Sequence, residues 1–140
     1  MIEPIPERLE RAKQQKLVER WPMWFNVGGD RRQTGMADGF CHGDGWFEII
    51  WRLCEDLEPL VAQFEAQTGQ RFEVLQVKEK FGGLRFYVSC GNDAIHRRIE
   101  AAELESLAVC EVCGQPGERR ETGWIKTLCD EHARTHGAGT

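Results

Sequence analysis

Apolar and polar positions alternate along this chain in two distinct periods. Trp46, Ile50, Leu53, Cys54, Leu57, Leu60, Val61 and Phe64 recur at helical spacing, which predicts an amphipathic helix from Gly45 or Trp46 to about Gln67. Asp44 stands where a cap would, Thr68-Gly69 closes the helix, and Pro59 is placed to kink or divide it. Ahead of it, Leu9, Ala12, Leu17, Val18 and Trp21 give a looser stripe over Glu7 to Trp21, ended by Pro22. The period then changes to two. Leu84, Phe86, Val88 and Cys90 alternate with Arg85, Tyr87 and Ser89, as in a strand with one buried face. Arg71 to Phe81 predicts its partner, with Gly82-Gly83 as the tight turn. Asn92 or Asp93 caps a third helix running to about Ala108, its buried side supplied by Ile95, Ile99, Ala102 and Leu107. The expected fold is α+β, with helices packed on an antiparallel β-hairpin.

The remaining stretch carries chemistry rather than periodicity. Cys110 and Cys113 form a C-x2-C pair, and Cys129 and His132 a C-x2-H pair. Two cysteines so spaced turn both sulfurs inward on a tight knuckle, with Gly114 free to take the positive φ that follows. Glu118 to Glu121 and Trp124 to Leu128 predict a hairpin about Thr122-Gly123, and Asp130 to His136 one or two helical turns. Cys129 and His132 then share a helix face. Knuckle, hairpin and short helix predict a treble-clef-like zinc finger over 110–136, attached to a core domain over 1–109. Zinc takes four such ligands in a tetrahedron, so the expected cofactor is structural zinc on Cys110, Cys113, Cys129 and His132. His136, one helical turn on, is the rival fourth ligand. Four protein ligands leave no open position for catalysis. The hairpin also lacks the histidine that nucleases of the HNH type place there.

Other residues compete for a role. Trp21-Pro-Met-Trp-Phe25 is an aromatic cluster that either anchors the first helix or offers Trp24 to a partner. Residues 26–45 hold six glycines and predict a mobile loop with Arg31 and Arg32 available to an acidic partner. Lys78, Lys80, Arg85 and Tyr87 share one hairpin face, an ordinary wet sheet face or a contact for RNA or single-stranded DNA. Cys41, His42, Cys90 and His96 could form a second metal site. Asp44, Glu48 and His42 could form a small hydrolase site. Glu55, Asp56 and Glu58 are either paired acids or a solvated helix face.

Charge narrows the choice. The net charge is −5, and residues 110–140 carry five acidic against four basic side chains, so the finger segment shows no positive stripe, which disfavours a phosphate-backbone grip. No apolar run reaches membrane-spanning length, and the charged start MIEPIPERLERAKQQK is not a secretory signal. A reducing cytoplasm is therefore expected, where thiols bind metal rather than pair as disulfides.

GDGWFEIIWRLCEDLE at 43–58, QVKEKFGGLRFYV at 76–88 and CEVCGQPG with GWIKTLCDEH at 110–132 resemble, in that order, a family of small, largely uncharacterised proteins encoded by phages, prophages and bacteria. Its members show CGDGWF where this chain has His42 between Cys41 and Gly43. The resemblance implies a host-cell cytoplasmic setting and an accessory role in infection or lysogeny. The expected function is non-enzymatic: binding to a host protein or protein complex, as an inhibitor of a defence or regulatory assembly.

Overall fold

The computed structural model describes residues 7–27, 35–121 and 123–136. Arg31 and Arg32 lie outside them. Helix α1 spans Arg11–Arg20 and begins later than the stripe predicts. Its approach is extended because the Leu9 amide donates to the Phe40 carbonyl (3.0 Å). The next amide, of Glu10, donates to Asp44 Oδ1 (2.7 Å). Asp44 is thus committed to this segment and does not cap the long helix, a correction to the expected cap.

The glycine-rich stretch is also corrected. From residue 35 it is built into the fold: a single 3-10 turn at Gly35–Asp38, strand β1 at Phe40–Cys41, and a second 3-10 turn at Asp44–Trp46. Met36, Phe40, His42 and Trp46 are fully buried. No alternation announces a two-residue strand, which is why its pattern is silent. Helix α2, Phe47–Thr68, runs unbroken through Pro59 and ends on Gly69 at φ +73°. Ile49, Ile50, Leu53, Cys54, Leu57, Val61 and Phe64 form its buried face.

Strands β2 (Val74–Lys80) and β3 (Gly83–Val88) pair antiparallel, and β1 joins β2 in parallel, giving sheet order β1-β2-β3. Helix α3, Asp93–Ser106, is capped by Asn92, whose Oδ1 accepts the Ile95 amide (3.0 Å). It covers the open edge of β3: Ser106 Oγ accepts the Leu84 amide (2.9 Å) and Glu103 accepts that of Phe86 (3.0 Å). Those contacts satisfy an otherwise bare sheet edge. Ser106 takes the buried place expected of Leu107, which is 37% exposed. Strands β4 (Glu118–Arg120) and β5 (Lys126–Leu128) form the finger hairpin, and α4 is Asp130–Thr135. The class is α+β. Among the described residues no helix is long and apolar enough to cross a membrane.

One turn departs from expectation. Lys80 pairs with Gly83, so the central residues are Phe81 and Gly82, at φ +52° and +82°. Positive φ at both positions is the I′ geometry that matches strand twist. Gly82 suits it and Phe81 does not. Tertiary contacts override the preference. Glu79 Oε2 accepts the Gly82 amide (2.7 Å), Arg119 Nε donates to the Phe81 carbonyl (3.0 Å), and Thr127 Oγ1 donates to the Gly82 carbonyl (2.6 Å). Phe81→Gly removes the left-handed strain from a side chain that is 60% exposed. We expect it to raise unfolding free energy by about 1 kcal/mol in urea titration; an equal loss would mean that ring packing outweighs the strain.

Candidate metal centre and its junction with the core

The knuckle is a backbone turn. The Cys110 amide donates to the Gln115 carbonyl (2.8 Å) and the Gly114 amide to the Cys110 carbonyl (2.9 Å), with Gly114 at φ +82°. Across the hairpin, the Glu111 amide donates to the Thr127 carbonyl (3.0 Å), which carries β5 and hence Cys129 alongside. Cys129 caps α4, its Sγ accepting the His132 amide (3.5 Å).

The ligand atoms of Cys110, Cys113, Cys129 and His132 lie within 4.8 Å of one another. Cys113 Sγ is 3.8 Å from Cys129 Sγ; His132 Nδ1 is 3.6 Å from Cys110 Sγ and 3.3 Å from Cys129 Sγ. A tetrahedron with metal–sulfur bonds of about 2.3 Å has edges of about 3.8 Å, so this set fits a metal ion. Burial, and then the neighbouring sulfurs, raise the Cys113 thiol to about 11. A dication among the sulfurs would remove that penalty. His132 supplies the fourth ligand atom; His136 stands beside it, ring centroids 5.5 Å apart, outside the cluster. Cys41, His42, Cys90 and His96 do not converge: among the described residues no other group of three or more cysteine, histidine or acidic side chains is placed to hold a metal ion.

The finger is joined to the core at very short range. A Cβ on Gly45 would stand 2.0 Å from the Cys110 carbonyl oxygen, and one on Gly43 2.5 Å from that of Glu111. The Gly45 amide donates to the Glu111 carbonyl (2.7 Å), and Trp46 Nε1 to the Val109 carbonyl (2.9 Å). Gly43 donates to Glu111 Oε2 (3.0 Å). Lys126 Nζ lies 2.9 Å from Glu79 and 3.7 Å from Glu111 Oε1, bridging hairpin and finger. Glu111 is 1% exposed, and burial, opposed by Lys126, raises its carboxyl to about 7. His42 is wholly buried between Phe40 and Trp46; burial lowers it to about 4, and its Nδ1 meets the Gly43 carbonyl at 2.7 Å.

These positions decide between the sequence alternatives. Trp24 is buried against Trp21 and Phe72, so it is a core anchor and not a contact residue. Of the residues considered for a hydrolase, His42 is buried, Asp44 Oδ1 accepts the Glu10 amide, and Glu48 is exposed. Asp56 pairs with Arg98 (2.8 Å), and Glu58 accepts from Trp21 Nε1 (2.7 Å) and pairs with Arg20. Lys78 and Arg85 face each other across β2 and β3, and Gln76 faces Tyr87, so the expected basic-aromatic face is assembled. Sequence reasoning missed Glu79, Phe81, Glu111, Trp124 and Lys126. A lone tryptophan in the polar hairpin was the available signal for Trp124, which is 76% exposed.

Comparison with protein-family models, with curated proteins and with solved structures finds no match to this chain.

His42 yields a signed pH prediction. Its neutral form is kept in the folded chain to about pH 4, while the unfolded chain takes up a proton below about 6.5. Relative to His42→Gln, the wild type should therefore lose stability as pH falls from 6.5 to 4. The total is about 3 kcal/mol at about 1.4 kcal/mol per pH unit. Parallel chemical unfolding of both proteins checks this, since metal release and Glu111 titration are common to the pair. A difference independent of pH would contradict it.

Proposed function

We propose that this chain is a zinc-stabilised binding protein that acts by contact with another protein and not by turnover. Zinc is the ion of choice because three thiolates and one imidazole in a tetrahedron suit it best. With four protein ligands it would contribute folding energy and leave no site for an activated water. The single observation that carries the contact reading is the pair Phe81 and Trp124. Both are large aromatic side chains, 60% and 76% exposed, and they line one cavity. Exposed aromatics of this kind are the usual anchors of protein interfaces. The likeness of three motifs to phage and prophage proteins supports a partner in the cytoplasm of a bacterial host. A defence or regulatory complex that this chain inhibits is the proposed target.

A second reading has its own support. Lys78 and Arg85 stand directly opposite with no ion pair among the described residues, beside exposed Lys80 and Tyr87. Like charges so placed disfavour the sheet and favour a bound anion such as RNA or single-stranded DNA.

One experiment separates the two. The tagged, metal-loaded chain is used to capture partners from nuclease-treated host lysate, alongside Trp124→Ala and Lys78→Glu. A stoichiometric protein lost on Trp124→Ala and kept on Lys78→Glu is the expected result. Nucleic acid recovered from untreated lysate and lost on Lys78→Glu, with no such protein, would overturn the contact reading.

A further inference from the structure

Between the turn at Phe81 and the finger hairpin lies a cavity of about 200 Å³, lined by Glu7, Glu79, Phe81, Trp124, Ile125 and Lys126. Neither the metal ligands nor the core use it. Two of its walls, Phe81 and Trp124, are aromatic and open to solvent. Its floor is charged. Lys126 Nζ pairs with Glu79 (2.9 Å), so these two lining charges balance. Glu7 adds another carboxylate at the lining. An apolar plug would bury the Glu7 carboxylate without compensation, and an anion would be repelled by it. A cation answers it, and aromatic faces attract cations through their quadrupole. Lys80 Nζ already lies 5.7 Å from the Phe81 ring centroid. Phe81 also occupies a conformation that its side chain disfavours, at φ +52°, held by the contacts to its turn; strain so held clusters at ligand clamps.

We propose that this cavity seats an arginine side chain from a basic segment of a protein partner. Arginine fits better than lysine because its flat guanidinium stacks on an aromatic wall while its N–H groups reach carboxylates. The net charge of −5 favours a basic partner over an acidic one. The inference rests on the contact reading above and names the chemistry of that contact.

The test is a nuclear magnetic resonance titration of the full, metal-loaded, 15N-labelled chain. Three probes are compared: N-acetyl-arginine N-methylamide, its neutral isostere built on citrulline, and the norleucine derivative. The arginine probe should move the Trp124 indole N–H and the Gly82 amide saturably. Its Kd should be roughly 1–10 mM, the range expected for so few atoms, and about fivefold tighter than either neutral probe. Trp124→Ala, at a largely exposed position, should abolish the response of the Gly82 amide, the reporter that survives the substitution, while leaving the other signals in place. Glu7→Gln should weaken it without unfolding the chain. Equal or tighter binding of norleucine or citrulline would overturn the proposal, as would the absence of any saturable shift. A short single-stranded oligonucleotide moving the same two signals more strongly would overturn it too. A captured protein lost on Trp124→Ala, together with a silent arginine titration, would sink this inference and leave the contact reading standing.

Discussion

Two glycines set how near the finger comes to the rest of the chain. At Gly43 and Gly45 the backbone lies against Cys110 and Glu111 so closely that a Cβ would overlap a carbonyl oxygen at either position. Side-chain packing is replaced there by main chain against main chain, with the Gly45 amide donating to Glu111 at 2.7 Å. The knuckle segment that touches the glycines also carries the first metal ligand. The 110–136 segment is therefore stitched to the core, even though Cys110, Leu128 and Ala133 form a small apolar cluster of their own.

That approach has consequences on the other side of the finger. Its hairpin reaches the β2–β3 turn, where Arg119 and Thr127 occupy the two carbonyls and Lys126 pairs with Glu79. A phenylalanine in a left-handed conformation is held by these contacts, not by its own preference. The three motifs that looked separate along the chain meet at one junction. GDGW supplies the glycine floor, KEKFGG the turn, and the cysteine–histidine set the clamp. The aromatic-walled cavity is a by-product of how turn and hairpin meet, which ties the proposed contact surface to the proposed metal.

Much of the architecture was legible before any coordinates. Helix α2 announces itself through one apolar face, β3 through strict alternation, and the finger through ligand spacing, because each signal is local and repeats. The sites that escaped are those where tertiary contacts decide. Asp44 looks like a helix cap but is drawn to the Glu10 amide. Gly82-Gly83 looks like the turn, yet the register set by β2 and fixed by the finger moves it to Phe81-Gly82. Phe40 has no periodic neighbours and becomes a buried strand residue only because Val77 lies beside it. Glu111 sits in a knuckle, where an exposed side chain is the natural expectation, and is buried by glycines 66 and 68 residues earlier in the chain.

The most direct test of this account is amide hydrogen exchange at Gly45 and Gly82 with one equivalent of zinc and after chelation. The Gly45 amide reports the glycine floor and the Gly82 amide the turn. If the metal clamps the finger and the finger clamps both, chelation should lower protection at the two positions together, by about a hundredfold or more. Undiminished protection at both amides in the metal-free chain would contradict it.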